Sequence, residues 1–251
     1  MPTIYSSSSG TADDGHCTMF GQSSWAAARD GAGNWVSTVS SSISSGVNAH
    51  RLSGRRGGTL YGVGRSFFCF DTSGITSAVS AATIKIYGFL FNTGSVIAVK
   101  STAFGGDGGT ALATGDFNAI SGYSAGSSLA GSATVYGPQI ITSNWSTSGY
   151  NDFTGTSDLL ADMQNNDEVI ICLMDYTNDY LNVALTSDGS YSCGVTYAEY
   201  SATSRDPAIE YTLATAGPTV HTVNTVAEAN IATIKSVAHA NIAEINTVTF
   251  D

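Results

Sequence analysis

Charge is what this chain has least of. Only 12% of its 251 residues are Asp, Glu, Lys or Arg, about half the usual share. Nine basic residues face 20 acidic ones, for a net charge of -11. Recognition of nucleic acid through phosphates needs clustered Lys and Arg, so that class is excluded. The one basic cluster is Arg51, Arg55 and Arg56, interrupted by glycines. It reads as a solvated loop or a subunit contact. Proline occurs four times, and no apolar run approaches the ~18 residues of a membrane-spanning helix. The start, Met1-Pro2-Thr3, leads into a polar stretch with no signal-peptide pattern. The expectation is synthesis in a reducing cytoplasm. Four cysteines, Cys17, Cys69, Cys172 and Cys193, are far apart and form no CxxC. Buried free thiols are expected, because free Cys packs like a small hydrophobe and disulfide frameworks belong to small, Cys-dense secreted chains.

What is abundant is Gly, Ser, Thr, Tyr and Val, with an apolar share of 42%. That mixture favours strands and tight turns around a real core. The organising stretch is Arg65–Phe91. Its two halves, carrying Phe67, Phe68, Phe70 and then Ile84, Ile86, Tyr87, Phe89 and Phe91, flank a Thr/Ser/Gly bridge. This reads as a hairpin or crossover of two strands. Further strands are expected at His16–Phe20, Ser95–Thr102, Leu181–Thr186, Cys193–Tyr200 and Pro207–Leu213, with short β signals on either side of Pro138. The run Glu168–Asp175 is continuously apolar and predicts a strand buried on both faces. Ser24–Asp30 reads as a single helical turn. Ser157–Gln164 is the clear helix, with Ser157 as N-cap and Asp158 near its positive end. Many short strands with turn signals between them predict an all-β sandwich over residues 1–214.

Composition shifts after Ala214. Thr215-Ala216-Gly217-Pro218 reads as a linker, and residues 215–251 contain a repeat of eleven residues, VAEANIATIKS followed by VAHANIAEINT. Drawn as a helix, Val226, Ile231, Ile234, Val237, Ile242, Ile245 and Val248 fall within roughly 160° of arc. An eleven-residue period suits helices with a slight right-handed supercoil. Val, Ile, Thr and Asn are mediocre helix formers, so an extended, strand-adding tail competes with that reading. Either form leaves an apolar face that about 30 residues cannot bury alone. The segment is expected to serve oligomerisation or docking.

Chemistry-bearing residues are sparse. His16, His50, His221 and His239 do not pair at metal-ligand spacing. Asp13, Asp14 and Asp107 lie in Gly-rich loops and could offer oxygens to calcium, though without EF-hand spacing solvated loop acids are the simpler reading. Asp152, Asp158, Asp162, Asp167 and Glu168 supply carboxylates for a glycosidase pair, yet they surround the predicted helix, where capping accounts for them. There is no Gly-x-Ser-x-Gly, and glycines 54, 57, 58, 62 and 64 lack a following Lys-Ser/Thr. No catalytic constellation emerges, and the expectation is a non-enzyme. Aromatics near polar turns are the better candidates. Trp35, Trp145 and Tyr150 are the expected ligand-binding residues, since loop aromatics can stack on sugar rings or anchor interfaces. Capping the sandwich ends is the competing account for each.

RSFFCFDTSGITSAVSAATIKIYG resembles a pattern of jelly-roll domains of the DNRLRE and carbohydrate-binding-module-like kind, through Arg65, Phe68, Phe70, Asp71, Thr72, Ser73, Ala81, Ala82, Ile84, Ile86 and Tyr87. RDPAIEYTL (Arg205–Leu213) resembles the closing strand of such a domain. Ser24-Trp25-Ala26…Arg29-Asp30 is similar to the amino-terminal part of bacteriophage virion versions, and the tail resembles the ends of phage structural proteins. The resemblance implies a jelly-roll β-sandwich in a virion protein: capsid decoration, fibre or receptor-binding appendage. It further implies other virion proteins as partners, a homo-oligomer such as a trimer, and host-surface glycan as an alternative ligand. The tail lacks the family's Asn-Gly turns, having Asn224-Thr225 and Asn246-Thr247.

Overall fold

The computed structural model describes residues 1–7, 12–38, 42–54, 58–198 and 204–215. The repeat, and with it Val226, Ile231, Ile234, Val237, Ile242, Ile245 and Val248, lies outside the described residues. So do Arg55 and Arg56. The chain divides into two units, 1–213 and 214–251.

The first unit is all-β. Its strands are β1 (Thr3–Tyr5), β2 (Gly15–Gln22), β3 (Trp35–Ser37), β4 (Ser42–Gly54), β5 (Gly58–Asp71), β6 (Val79–Asn92), β7 (Ser95–Lys100), β8 (Val135–Ile141), β9 (Tyr150–Thr154), β10 (Glu168–Asp175), β11 (Gly189–Thr196) and β12 (Ala208–Leu213). Helices α1 (Trp25–Asp30) and α2 (Ser157–Asn165) interrupt them. The strands form one antiparallel network in the order β1-β12-β6-β11-β4-β5-β10-β7-β8, with β2 on β5, β3 on β2 and β9 on β6. Strand β6 joins the two layers of this sandwich. Its first residues pair with β12 and β9, and Gly88, Phe91 and Asn92 pair with β11.

Period-two alternation in β5 and β10 builds two cores from one layer. Phe68, Phe70, Val169, Ile171 and Leu173 point into the first, between the two layers, with Ile84, Ile86 and Phe153 opposite. Phe67, Cys69, Ile170, Cys172 and Met174 point into the second, under α1 and the loops of residues 103–133. The continuous apolar run of β10 is therefore a strand buried on both faces, as its sequence predicts. All four cysteines are free and buried. Burial pushes the thiols of Cys17, Cys69 and Cys193 up to about 12, which keeps them protonated.

Arg65 lies on the second-core face of β5, fully buried. Its five N–H donors are all used. Nε and Nη2 take the two carboxylate oxygens of Asp179 at 2.7 Å each, and Nη2 also reaches Arg29 O at 3.1 Å. Nη1 donates to Phe117 O at 2.6 Å and Asn118 Oδ1 at 2.7 Å, and the Phe117 ring centroid is 4.1 Å from the guanidinium. Burial opposes the charge, but Asp179 outweighs it and holds the guanidinium above its ordinary value. Arg29, at the end of α1, adds Asp179 O at 2.8 Å, Asp30 Oδ1 at 2.6 Å and Ser127 O at 2.8 Å. This network bolts the loop layer to the sheet.

Several sequence expectations are corrected here. The cap of α2 is Thr156, whose hydroxyl accepts from Leu159 N at 3.4 Å, one residue before the predicted Ser157. Leu181–Thr186 is not a strand. Asp175 Oδ1 takes Asn178 N at 2.6 Å, Tyr176–Tyr180 closes into a π-turn, and Asn182 adopts φ 56°. The β signals around Pro138 are one strand, β8, at the end of the strand order, where a residue without an N–H is tolerated. Trp145 is not a loop aromatic open to ligands. It is 5% exposed in the first core, edge-on to Phe153 at 6.5 Å. Asn151 holds its loop, accepting from Ser146 N at 2.7 Å and donating to Ser146 O at 3.0 Å. Gly88 makes room: a Cβ there would sit 1.8 Å from Ser146 O.

Two buried groups titrate oppositely. Burial pushes the Asp175 carboxyl up to about 6 and the His16 imidazole down to about 4. Between pH 4 and 6 the folded state binds the Asp175 proton and the unfolded chain does not, so this group's contribution falls as pH rises. His16 works the other way, its contribution being lost as pH falls from 6.5 to 4. Asp175→Asn removes only the first term. The variant should match the wild type near pH 4 and exceed it by about 3 kcal/mol above pH 6, measured by urea unfolding across that range. A constant difference at all pH values would be evidence against a raised Asp175.

Candidate functional site

The outward face of the layer formed by β1, β12, β6 and β9 carries the best recognition surface among the described residues. In β6 and β9, Ile84, Ile86 and Phe153 face inward, so alternation turns Thr83, Lys85, Tyr87, Tyr150, Asp152 and Thr154 outward. The register sets Tyr87 opposite Tyr150 and Lys85 opposite Asp152. On the other edge of β6, β12 sets Ala208 opposite Lys85 and Glu210 opposite Thr83, and β1 adds Tyr5 beside Ala208.

Tyr150 is the centre. Its hydroxyl donates to Asp206 O at 3.1 Å, and its ring stands edge-on to Tyr87 at 5.4 Å and 83°. The Lys85 ammonium lies 5.5 Å from its ring centroid, between Asp152 Oδ2 at 3.3 Å and Glu210 Oε2 at 3.6 Å. The Arg205 guanidinium sits 4.8 Å from the Tyr87 ring, whose hydroxyl donates to Ser148 O at 2.8 Å. Burial, with Asp206, Tyr5, Glu210 and Tyr87 around it, pushes the Tyr150 phenol up to about 12. It stays a neutral donor. Burial also raises the Asp206 carboxyl, whose Oδ1 is enclosed without a hydrogen-bond partner.

Two cavities meet at this residue. One of about 350 Å³ is lined by Tyr150, Asn151, Asp152, Gln139, Ile140 and Asn144. The other, of about 320 Å³, is lined by Tyr150, Tyr5, Lys85, Glu210, Thr3, Ser204 and Ala208. The result is a groove with a ring at its middle and paired charges along it, suited to hydrogen bonding and stacking.

Another cavity, of about 410 Å³, lies where α2 meets β7 and β8. There Asp162 Oδ2 accepts from Tyr136 Oη at 2.5 Å and Lys100 Nζ at 2.8 Å, and Asn166 Nδ2 donates to Oδ1 at 3.0 Å. Burial would raise the Asp162 carboxyl, but Lys100 and Tyr136 hold it below its usual range. At the mouth, Glu168 is raised by burial and by Asp167, Asp71 and Asp107. The Asp162 network secures α2, consistent with a structural role for these carboxylates.

Of the residues singled out from sequence, Tyr150 stands at the groove and Trp145 belongs to the core. Trp35 is 46% exposed on β3, edge-on to His16 at 4.7 Å, and shares no contact with Tyr150. The loop acids are not brought together. Asp14 is buried, accepting from Ser6 Oγ at 2.6 Å and Ala198 N at 3.1 Å, and Asp107 accepts from Gly109 N at 2.9 Å. Among the described residues no group of three or more His, Cys, Asp or Glu could hold a metal ion. Sequence reasoning missed Tyr5, Lys85, Tyr87 and Arg205. The alternation Thr83-Ile84-Lys85-Ile86-Tyr87 carried the signal for two of them. No protein-family model matches the chain, and a search of curated proteins finds no match.

Proposed function

We propose that the protein is a non-enzymatic virion structural subunit, of the capsid-decoration or fibre and appendage kind. Its β-sandwich is the exposed body, and its C-terminal repeat assembles it or docks it to other virion proteins. The observation that carries this reading is the division of the chain at residue 213, between a sandwich with its own two cores and a segment bearing an eleven-residue apolar repeat. A chain ending at Leu213 should keep its unfolding midpoint and lose its oligomeric mass in sedimentation. Retention of the full-length mass by the truncated chain would overturn the docking role.

A second reading, recognition of host-surface glycan, is favoured by Tyr150 standing between two cavities with neutral and charged hydrogen-bonding groups on both sides. On a glycan array, Tyr150→Ala should abolish any signal that the wild type gives. Its stability should fall by only about 1–2 kcal/mol, the loss of the hydrogen bond to Asp206 O and of packing on Tyr87, so the protein stays folded. A wild type that binds no glycan, or an equal signal from the variant, removes this reading and leaves the assembly role untouched.

A further inference from the structure

Across β1, β12, β6 and β9 the register lines up Tyr5, Ala208, Lys85 and Asp152 in one row, with Thr3, Glu210 and Thr83 in the row beside it. Ile4 and Ile209 pack into the first core, so alternation turns both rows outward. Ala208 ends at its Cβ between a tyrosine and a lysine. The cavity of about 320 Å³ opens over it, walled by Tyr5, Lys85, Tyr150 and Glu210.

The side chains around this dent keep unused bonding capacity. The Lys85 ammonium has three N–H donors and gives one to Asp152 Oδ2 at 3.3 Å. Its separation from Glu210 Oε2, 3.6 Å, is that of an ion pair and too long for a hydrogen bond. The Glu210 carboxylate accepts no side-chain hydrogen bond among the described residues. Tyr5 is 44% exposed, and among the described residues no aromatic ring or cation covers it. The rings of Tyr87 and Tyr150, by contrast, face Arg205 at 4.8 Å and Lys85 at 5.5 Å. A donor and an acceptor side by side, next to an open ring, match two neighbouring hydroxyls and the C–H face of one pyranose. Charge then selects among sugars. Lys85 already stands between two carboxylates, and a net charge of -11 repels anions, so a carboxylated sugar finds no free cation here.

We propose that the cavity over Ala208 is the subsite for one neutral sugar residue, stacked on Tyr5, with one of two vicinal hydroxyls donating to Glu210 and the other accepting from Lys85. The assignment rests on the glycan reading and specifies which part of the groove, and which kind of sugar, that reading uses. The probes are the methyl α-pyranosides of glucose, mannose and galactose, with the methyl glycoside of N-acetylneuraminic acid as the anionic counterpart. Each is titrated into the full chain and followed by amide chemical shifts. At least one neutral probe should shift Tyr5, Lys85, Ala208 and Glu210 with a Kd of about 1–10 mM, and the anionic probe should bind at least about tenfold more weakly. Glu210→Gln should weaken the neutral probe by about tenfold, and Tyr5→Ala by about two- to tenfold, with urea midpoints showing both variants folded. Glycan binding that Tyr150→Ala abolishes but Tyr5→Ala and Glu210→Gln leave intact overturns this subsite while glycan recognition stands. Preference for the anionic probe does the same. A wild type that gives no signal on the array and no shifts with any probe at about 50 mM removes the subsite and the glycan reading together.

Discussion

Arg65→Met lowers the stability of the sandwich by about 3–5 kcal/mol. The guanidinium is fully buried and donates to Asp179, Phe117, Asn118 and Arg29. Removing it leaves the Asp179 carboxylate uncompensated, apart from Arg29 Nε at 3.5 Å from Oδ1. It also strips partners from two carbonyls and an amide of the loop layer. Asp179→Asn should cost a comparable amount for the mirrored reason. Arg65→Met combined with Asp179→Leu should cost much less than the sum, because the penalty resides in the unpaired charge and not in the pair as such. Urea unfolding measures this through the shift in midpoint at unchanged slope. A loss of less than about 1 kcal/mol for Arg65→Met would mean that the loop layer is held by the second core alone and that the ionic network is incidental.

The second large effect separates the two aromatics that looked alike in the sequence. Trp145→Ala should cost about 3–5 kcal/mol, as removal of a large core side chain does, since the indole packs on Phe153 and closes the first core over Gly88. Part of that cost is offset, because the indole Nε1 is buried without a hydrogen-bond partner. Tyr150→Ala, three residues from the buried Phe153 on the same strand but turned outward by alternation, should cost only about 1–2 kcal/mol, the loss of its hydrogen bond to Asp206 O and of its contact with Tyr87. A Trp145→Ala variant that unfolds like the wild type would reverse the assignment and return Trp145 to the surface.

Much of the fold was legible because it is local. The aromatic-rich run Phe67-Phe68-Cys69-Phe70 and the unbroken apolar run Val169–Met174 predict strands, and burial on both faces follows from the absence of a polar side. The helix at residues 157–165 was visible in the capping hydroxyl at its start and Asp158 near its positive end. Its cap moved by one residue, because Thr156 and Ser157 are chemically equivalent caps and only the backbone, extended at Thr156 (φ -78°, ψ 169°), distinguishes them. Leu181–Thr186 failed for a related reason. Its alternation is genuine, but the Asp175 carboxylate captures Asn178 N, and Asn182 turns to accept Trp25 Nε1 at 3.0 Å. That contact joins residues 157 apart in the chain.

By itself, then, the sequence determined the all-β class, the free and buried cysteines, the two central strands β5 and β6 (though not that they are joined as a crossover and do not pair with each other) and the change of character after residue 214, since each depends on composition or on neighbours within a few positions. Tertiary structure alone decided which of the scarce charges and aromatics matter. Arg65 reads as the opening residue of a strand until Asp179, 114 residues on, is brought against it. Trp145 reads as exposed until Gly88 admits its loop. Tyr150 acquires neighbours only when β1, β6 and β12 align beside it. In a chain with so few ionic groups, burial and long-range pairing assign their roles, and neither leaves a mark on local sequence.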